Sequence, residues 1–332
     1  MGDKLLSHRY ESETQGASYG VMFHYFDGED EPFTGQGYVR PKQLELILKF
    51  VGLSAILPAK EWLERAERGL LREGDVCLSF DDGLRCQVDY ALPVLSKYNL
   101  TTFWFVHSSV FEGGTNAMEV SKAFIRKTFS RFDEFYELFL EVLFQEITAL
   151  DIEEALSVFS PAEYLSEHPF YSDAEREYRY LRDKVLGPKY FSRVMEKILD
   201  RFEVDQKAIS ATLWMDDENL FELAKNGHVV GMHSYSHPTN FKSLSFQEQA
   251  REYQKNFSHI YRVTGEKPKT MAHPVNSYNC DTLRTLKDLG VTVGFRSNMH
   301  LVSHDGLEHP REDSSNILNH ITNIRQLEEG KK

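Results

Sequence analysis

Short apolar runs of strand length alternate with stretches of helical period at both ends of this 332-residue chain, while the middle shows the helical period alone. Residues 20–26 read as a first strand, Leu53–Leu57 as another short one, Val76–Phe80 as a buried strand and Thr292–Phe295 as a late one. Between them, Pro41 suits the first turn of an amphipathic helix running through Phe50, with Leu44, Leu46, Ile47 and Phe50 on its apolar face. A second helix is predicted over Lys60–Leu71. Gly227 marks a helix stop before a short strand that leads into His233. Ser245-Phe246-Gln247-Glu248 has the form of a capping box opening a long helix with Tyr253, Phe257, Ile260 and Tyr261 on its apolar side. Repeated strand–helix alternation predicts an α/β fold with a parallel sheet.

The middle departs from this rhythm. Met118–Lys127 and Arg131–Leu150 read as helices, the second with Phe132, Phe135, Phe139, Val142 and Leu143 at helical spacing. Ala174–Val185 and Tyr190–Phe202 are helical too, with Gly187-Pro188 as the break between them. The pattern predicts a largely helical insertion over 113–210 in an α/β domain built from 1–112 and 211–332. Its aromatic stripe packs onto its own helices, lids a site, or makes a homo-oligomer contact. A membrane-docking face fits poorly, because Asp133, Glu134, Glu137, Glu141 and Glu146 crowd the same helix.

Candidate chemistry sits where two predicted strands end. Val76-Cys77-Leu78-Ser79-Phe80 runs straight into Asp81-Asp82-Gly83, and the later strand runs into His233-Ser234-Tyr235-Ser236-His237-Pro238. Each half alone is weak. Asp-Asp-Gly is a common turn, and a His-x-x-x-His is easily incidental surface in a chain with 13 histidines. Together, one carboxylate and two imidazoles make an open ligand set for a catalytic zinc, and the other carboxylate becomes a candidate base. Both halves lie at carboxyl ends of strands, where α/β folds keep their chemistry.

At these residues the chain resembles the polysaccharide deacetylases, the NodB-homology family of carbohydrate esterases. Residues 79–83 match the family's Thr/Ser-Phe-Asp-Asp-Gly motif and 233–237 its His-Ser/Thr-x-x-His motif. Asp89–Leu95 and Leu100–Val106 read like the helix and strand that follow the first motif, and 271–279 like a degenerate Pro-centred third motif, ahead of a helix over Asp281–Leu289. The resemblance covers about residues 20–112 and 210–315. It implies a distorted (β/α) barrel, with Asp82, His233 and His237 holding a divalent metal, most fittingly zinc. Asp81 would then be the base, and a backbone N–H near Val275 an oxyanion donor. His273, Pro274, Asn276 and Tyr278 belong to the third motif and are candidate substrate contacts. Where the family often carries an Arg that orients the base, this chain has Ala272-His273 before Pro274, and Val275 replaces the usual Tyr. Arg296 is the candidate replacement for the missing Arg, although Arg311-Glu312-Asp313 could also bring charge near the pocket. The family's general acid has no clean counterpart. His24 and His304 are equal candidates, with His273 a third.

Composition adds limits. The net charge is −13 and no Lys/Arg run occurs, which argues against binding nucleic acid or anionic lipid. No segment approaches the ~20 apolar residues of a membrane helix, and the first residues lack the apolar core of a signal peptide. Cys77, Cys86 and Cys280 form no ligand spacing. A reducing cytoplasm is the expected compartment. The expected function is removal of an N-acetyl or similar acyl group from an amino sugar, in a small or carrier-linked glycan of surface polysaccharide biosynthesis. The alternatives are an amidase acting on a non-sugar amide, or a deacetylase-like protein that binds glycan or a partner without turnover.

Overall fold

The structure is a computed structural model that describes residues 17–29, 38–147, 152–165, 171–300, 302 and 306–329. The described chain divides into two compact units, one of residues 17–29, 38–114 and 214–329, the other of 115–213.

The first unit is built on nine strands: β1 (Tyr19–Phe23), β2 (Tyr25–Phe26), β3 (Tyr38–Val39), β4 (Val76–Asp81), β5 (Phe103–Val106), β6 (Val229–Met232), β7 (Thr270–Ala272), β8 (Val293–Phe295) and β9 (Arg311–Asp313). Seven form one sheet in the order β8-β7-β6-β5-β4-β1-β9, and every pair in it is parallel. The sheet curls nearly into a barrel. The lead-in to β9 bridges β8, with the Arg296 N–H donating to the His309 carbonyl and the His309 N–H to the Gly294 carbonyl, both at 2.9 Å. β9 then pairs with β1. Gly294 permits this closure, because a Cβ there would lie 2.5 Å from the Leu307 carbonyl oxygen.

Side chains alternate across each strand. Val76, Leu78 and Phe80 of β4 and Trp104 and Val106 of β5 join one large apolar cluster. Their neighbours Cys77, Phe103 and Phe105 join Phe295 in another, where Trp62 meets Phe103 edge-on and tilts against Phe295. Ser79, Asp81 and Arg311 fall on the second face, which therefore turns polar towards the carboxyl ends of the strands. Helices α1 (Pro41–Val51), α2 (Ala59–Glu67) and α3 (Leu92–Lys97) connect the early strands.

In the second unit lie α4 (Ala117–Thr128), α5 (Phe132–Glu146), α6 (Ile152–Ser157), α7 (Asp173–Tyr180), α8 (Gly187–Arg201) and α9 (Gln206–Leu213). They pack around Phe135, Phe139, Tyr178, Leu181, Val194 and Ile198. The first unit resumes with α10 (Asp217–Lys225), α11 (Phe246–Thr264), α12 (Cys280–Asp288) and α13 (Ser314–Glu329).

Several predicted elements shift. Leu53–Leu57 is a turn in which Ile56 makes an isolated bridge to Val76. Asp89–Leu95 starts as a π-helical turn over Gln87–Ala91 and becomes α3 at Leu92. Gly187, at φ 63°, opens α8, and Pro188 sits in that helix's first turn. The late strand is β8, and β9 follows it.

Candidate metal centre

Asp81 ends β4, and the chain turns at Asp82, whose φ of 77° leads into Gly83 at 74°. This left-handed pair sends the two carboxylates to different neighbours. Asp82 meets the histidine pair: His233 Nε2 lies 3.4 Å and His237 Nε2 3.5 Å from its Oδ1. One ligand atom from each of the three residues falls within 4.8 Å of the others, the one such group among the described residues. His233 Nδ1 donates to the Ala272 carbonyl at 2.8 Å, which turns Nε2 towards Asp82. Burial disfavours the charged ring, but the Asp81 and Asp82 carboxylates outweigh it and raise the His233 pKa. Burial pushes His237 down to about 4, leaving a neutral imidazole. Burial would raise the Asp82 carboxyl, but its hydrogen bond with His233 and the nearby imidazoles hold it well below the ordinary carboxylate range. A buried carboxylate facing the Nε2 atoms of two imidazoles is the donor set of a catalytic zinc site, so these residues fit a divalent metal.

Asp81 meets an arginine. Arg311, fully buried on β9, donates from Nη1 to Oδ1 and from Nη2 to Oδ2, both at 2.7 Å. The fork is anchored from Nη1 to Ser79 Oγ at 3.1 Å and from Nε to the Arg296 carbonyl at 2.6 Å. Burial favours the neutral acid, yet the guanidinium outweighs it and keeps the Asp81 carboxyl below its usual range. Gly20 makes room, since a Cβ there would lie 3.0 Å from Arg311 Cγ. Arg296 does not take this role: its Nη1 donates to the His300 carbonyl, and only its backbone oxygen serves the pair.

The other expected residues separate. His24, with its side chain 30% exposed, places Nε2 3.8 Å from Asp81 Oδ2, and Gln87 Nε2 ties the carbonyls of His24 and Asp81 together at 2.8 and 2.6 Å. His304 lies outside the described residues. His273 and Pro274, expected to contact substrate, are buried. His273 donates from Nε2 to the Leu307 carbonyl at 2.9 Å under the Tyr278 ring, and burial pushes it to about 3, too low for an acid near neutrality. Tyr278, half-buried, is bonded to Glu308. Val275 is 53% exposed at φ 43°, ψ 29°, and its N–H has no hydrogen-bond partner among the described residues. Asn276 follows at φ 55°. A β-branched residue in this region is strained, and such strain concentrates at functional sites.

Sequence reasoning overlooked His107, directly after β5. It is buried edge-on against Trp214, 5.5 Å from the His237 ring, and its Nδ1 lacks a partner among the described residues. A single buried histidine carries no periodic signal.

Residues 187–294 match the family model for polysaccharide deacetylase. The Streptococcus pyogenes deacetylase PplD, solved in complex with acetate, shares the fold with a TM-score of 0.53 at 14% identity, over 91% of this chain and 96% of its own. A de-N-acetylase from Aggregatibacter actinomycetemcomitans does so at 0.52 and 13%, over 92% and 99%. The second and third motifs thus fall within a polysaccharide deacetylase match that spans about a third of the chain. At these identities the likeness to the solved deacetylases is one of fold, a (β/α) barrel. No curated protein sequence matches the chain. The deacetylase family match holds His233, His237 and the third motif but begins beyond Asp81-Asp82, which geometry alone joins to the histidines. Among the described residues no helix is long and apolar enough to cross a membrane.

Proposed function

We propose that the chain is a metal-dependent hydrolase that removes an N-acetyl group from an amino sugar. The observation that carries this reading is the division of labour between adjacent acids: Asp82 faces two imidazoles, whereas Asp81 is held in a guanidinium fork. A site that only bound metal would have no use for the second, separately clamped carboxylate. A divalent metal held by Asp82, His233 and His237, most fittingly zinc, would supply Lewis-acid polarisation of the acyl carbonyl and of a water.

The chain's own residues do the rest. Arg311 keeps Asp81 ionised and fixes its plane, so a remaining lone pair can take the proton of the attacking water. As the new C–O bond forms, the Val275 N–H donates to the developing oxyanion from a strained turn that is already in place. The C–N bond then breaks, the amine nitrogen takes a proton from His24, and acetate and the free amino sugar leave. His24 is assigned this step for its proximity to Asp81 and its exposure, with His304 as the other candidate. Asn276 and Tyr278 at the rim would meet the sugar.

The substrate in this reading is a small or carrier-linked glycan in surface polysaccharide biosynthesis. A reducing compartment is in keeping with three cysteines that form no disulfide. The test joins metal content to acetate release over a panel of N-acetylated sugars, nucleotide sugars and short glycans. Asp81→Asn should retain metal and lose about 10²–10⁴-fold in kcat, as for a missing general base, whereas Asp82→Ala should lose both metal and release. Full activity in Asp81→Asn would sink the base assignment, and metal uptake unaffected by Asp82→Ala would sink the site.

A further inference from the structure

The loop carrying both histidines is conformationally costly. Ser234 at φ 64° and His237 at φ 53° are left-handed residues without the freedom of glycine. Within the loop the His237 N–H donates to Ser234 Oγ at 3.0 Å, the one such cross-link among the described residues. Support comes from outside, from the segment after β5, where the Ser109 N–H donates to the Tyr235 carbonyl at 2.8 Å and Glu112 accepts the Tyr235 hydroxyl at 2.9 Å, and from one face of α11. Glu252 accepts the N–H groups of Tyr235 at 3.1 Å and Ser236 at 2.8 Å on Oε2, and the Ser236 hydroxyl at 2.8 Å on Oε1. One helical turn on, the buried Asn256 accepts the His233 N–H at 3.0 Å and donates from Nδ2 to the Val106 carbonyl at 3.0 Å, joining the ends of β5 and β6. Positions i and i+4 share a helix face, so a single element sets both the first histidine and the segment between the two. The capping box of Ser245 and Glu248 fixes where that helix begins.

We infer that Glu252 is a positioning residue of the metal centre, bracing the 233–237 loop in the left-handed conformation that turns His233 and His237 to the same point, with Asn256 anchoring the loop's first residue. The inference rests on the metal site proposed above. Glu252 touches neither the ligand atoms nor Asp81 and acts only through main-chain and hydroxyl donors. Without its three accepted bonds the N–H groups of Tyr235 and Ser236 and the Ser236 hydroxyl lose their acceptor. The Ser109 N–H still holds the Tyr235 carbonyl at 2.8 Å and Glu112 the Tyr235 hydroxyl at 2.9 Å, but the free protein would have to order that part of the loop again each time it bound metal. Ordering at that moment weakens binding without changing the ligand set.

The test compares Glu252→Ala with Glu252→Gln, which keeps one carbonyl acceptor for the two N–H groups but no charge. Zinc alone is titrated into metal-free protein by calorimetry, and amide hydrogen exchange is followed at Tyr235 and Ser236 without metal. Glu252→Ala should raise the zinc dissociation constant about 10–100-fold and Glu252→Gln no more than about 3-fold, the size expected for loss and retention of an outer-shell bond. Exchange at the two amides should quicken in the alanine variant and not in the glutamine one. Wild-type zinc affinity and exchange in Glu252→Ala would overturn the brace, as would equal weakening in both variants, which would assign the effect to charge. Should the wild type bind no zinc, the metal reading falls, and exchange at the two amides then decides the brace by itself.

Discussion

The two units of this protein solve the problem of burial in opposite ways. The helical unit of residues 115–213 buries aromatic and aliphatic side chains, and its buried polar groups among the described residues come down to Glu119, Ser121, Arg176 and Ser210. Phe139 is typical, ringed by Phe135, Tyr136, Tyr178 and Phe191 at centroid distances of 4.9–6.3 Å. The barrel unit, among its described residues, buries Asp27, Asp81, Asp82, Arg296, Arg311 and several histidines. Each such group needs a partner, and finding the partners reveals the chemistry. Stability in one unit is a matter of packing; in the other it is tied to charges arranged for a reaction.

Removing a core group from each unit should therefore have costs of similar size with different signatures. Arg311→Met leaves the Asp81 carboxylate buried without its fork and should destabilise by about 3–5 kcal/mol. Phe139→Ala opens a cavity in the aromatic cluster and should cost about 3–5 kcal/mol as well. Denaturant melts check both. Acetate release per folded molecule separates them, falling steeply in Arg311→Met and holding in Phe139→Ala. Equal activity in the two variants would break the distinction, because Arg311 would then be only a structural ion pair.

Acid should act on the barrel unit first. His228 Nδ1 accepts from the Thr102 N–H at 3.0 Å and the Trp104 Nε1–H at 3.1 Å, and burial lowers its pKa from 6.5 to about 4. Between those values the unfolded chain binds a proton that the folded one refuses. The contribution is thus complete above pH 6.5 and is lost as pH falls to 4. For one histidine it amounts to about 3 kcal/mol. The helical unit has no histidine among its described residues. His228→Asn should flatten the slope of stability between pH 6.5 and 4, and an unchanged slope would place the proton uptake elsewhere.

What the sequence made legible follows the same division. Asp82, His233 and His237 could be read because their spacing and the apolar runs before them are local signals, and the structure brings their ligand atoms together. The family also showed in those motifs. Arg311 was the harder residue. It lies on a three-residue strand, Arg-Glu-Asp, whose hydropathy resembles an exposed tail, and the carboxylate it pairs with lies 230 positions away. Arg296 was the more plausible replacement by position, directly after a visible strand, but at that point only its carbonyl faces the pair. Glu252 and Asn256 were hidden for a related reason. On an amphipathic helix a polar face reads as solvated, and nothing local says that this one lies under a loop.

The smallest expected effect tests where the oxyanion donor resides. Val275 holds φ 43° with its side chain 53% exposed, so the residue buries little and carries backbone strain. Val275→Gly removes the Cβ clash of the left-handed region, a gain of about 1–3 kcal/mol that glycine's extra freedom in the unfolded chain offsets by about 0.5–1 kcal/mol. The net result should be a stability gain of about 1 kcal/mol, read from the melting midpoint. Activity should remain within about 2-fold, because the proposed donor is the main-chain N–H that every residue but proline carries. Removing such a donor costs about 10²–10³-fold, so even a partial loss would be visible. A fall of that order in Val275→Gly, with zinc affinity intact, would mean that the valine side chain itself shapes the acyl pocket, and the donor would have to be sought at another amide of the turn.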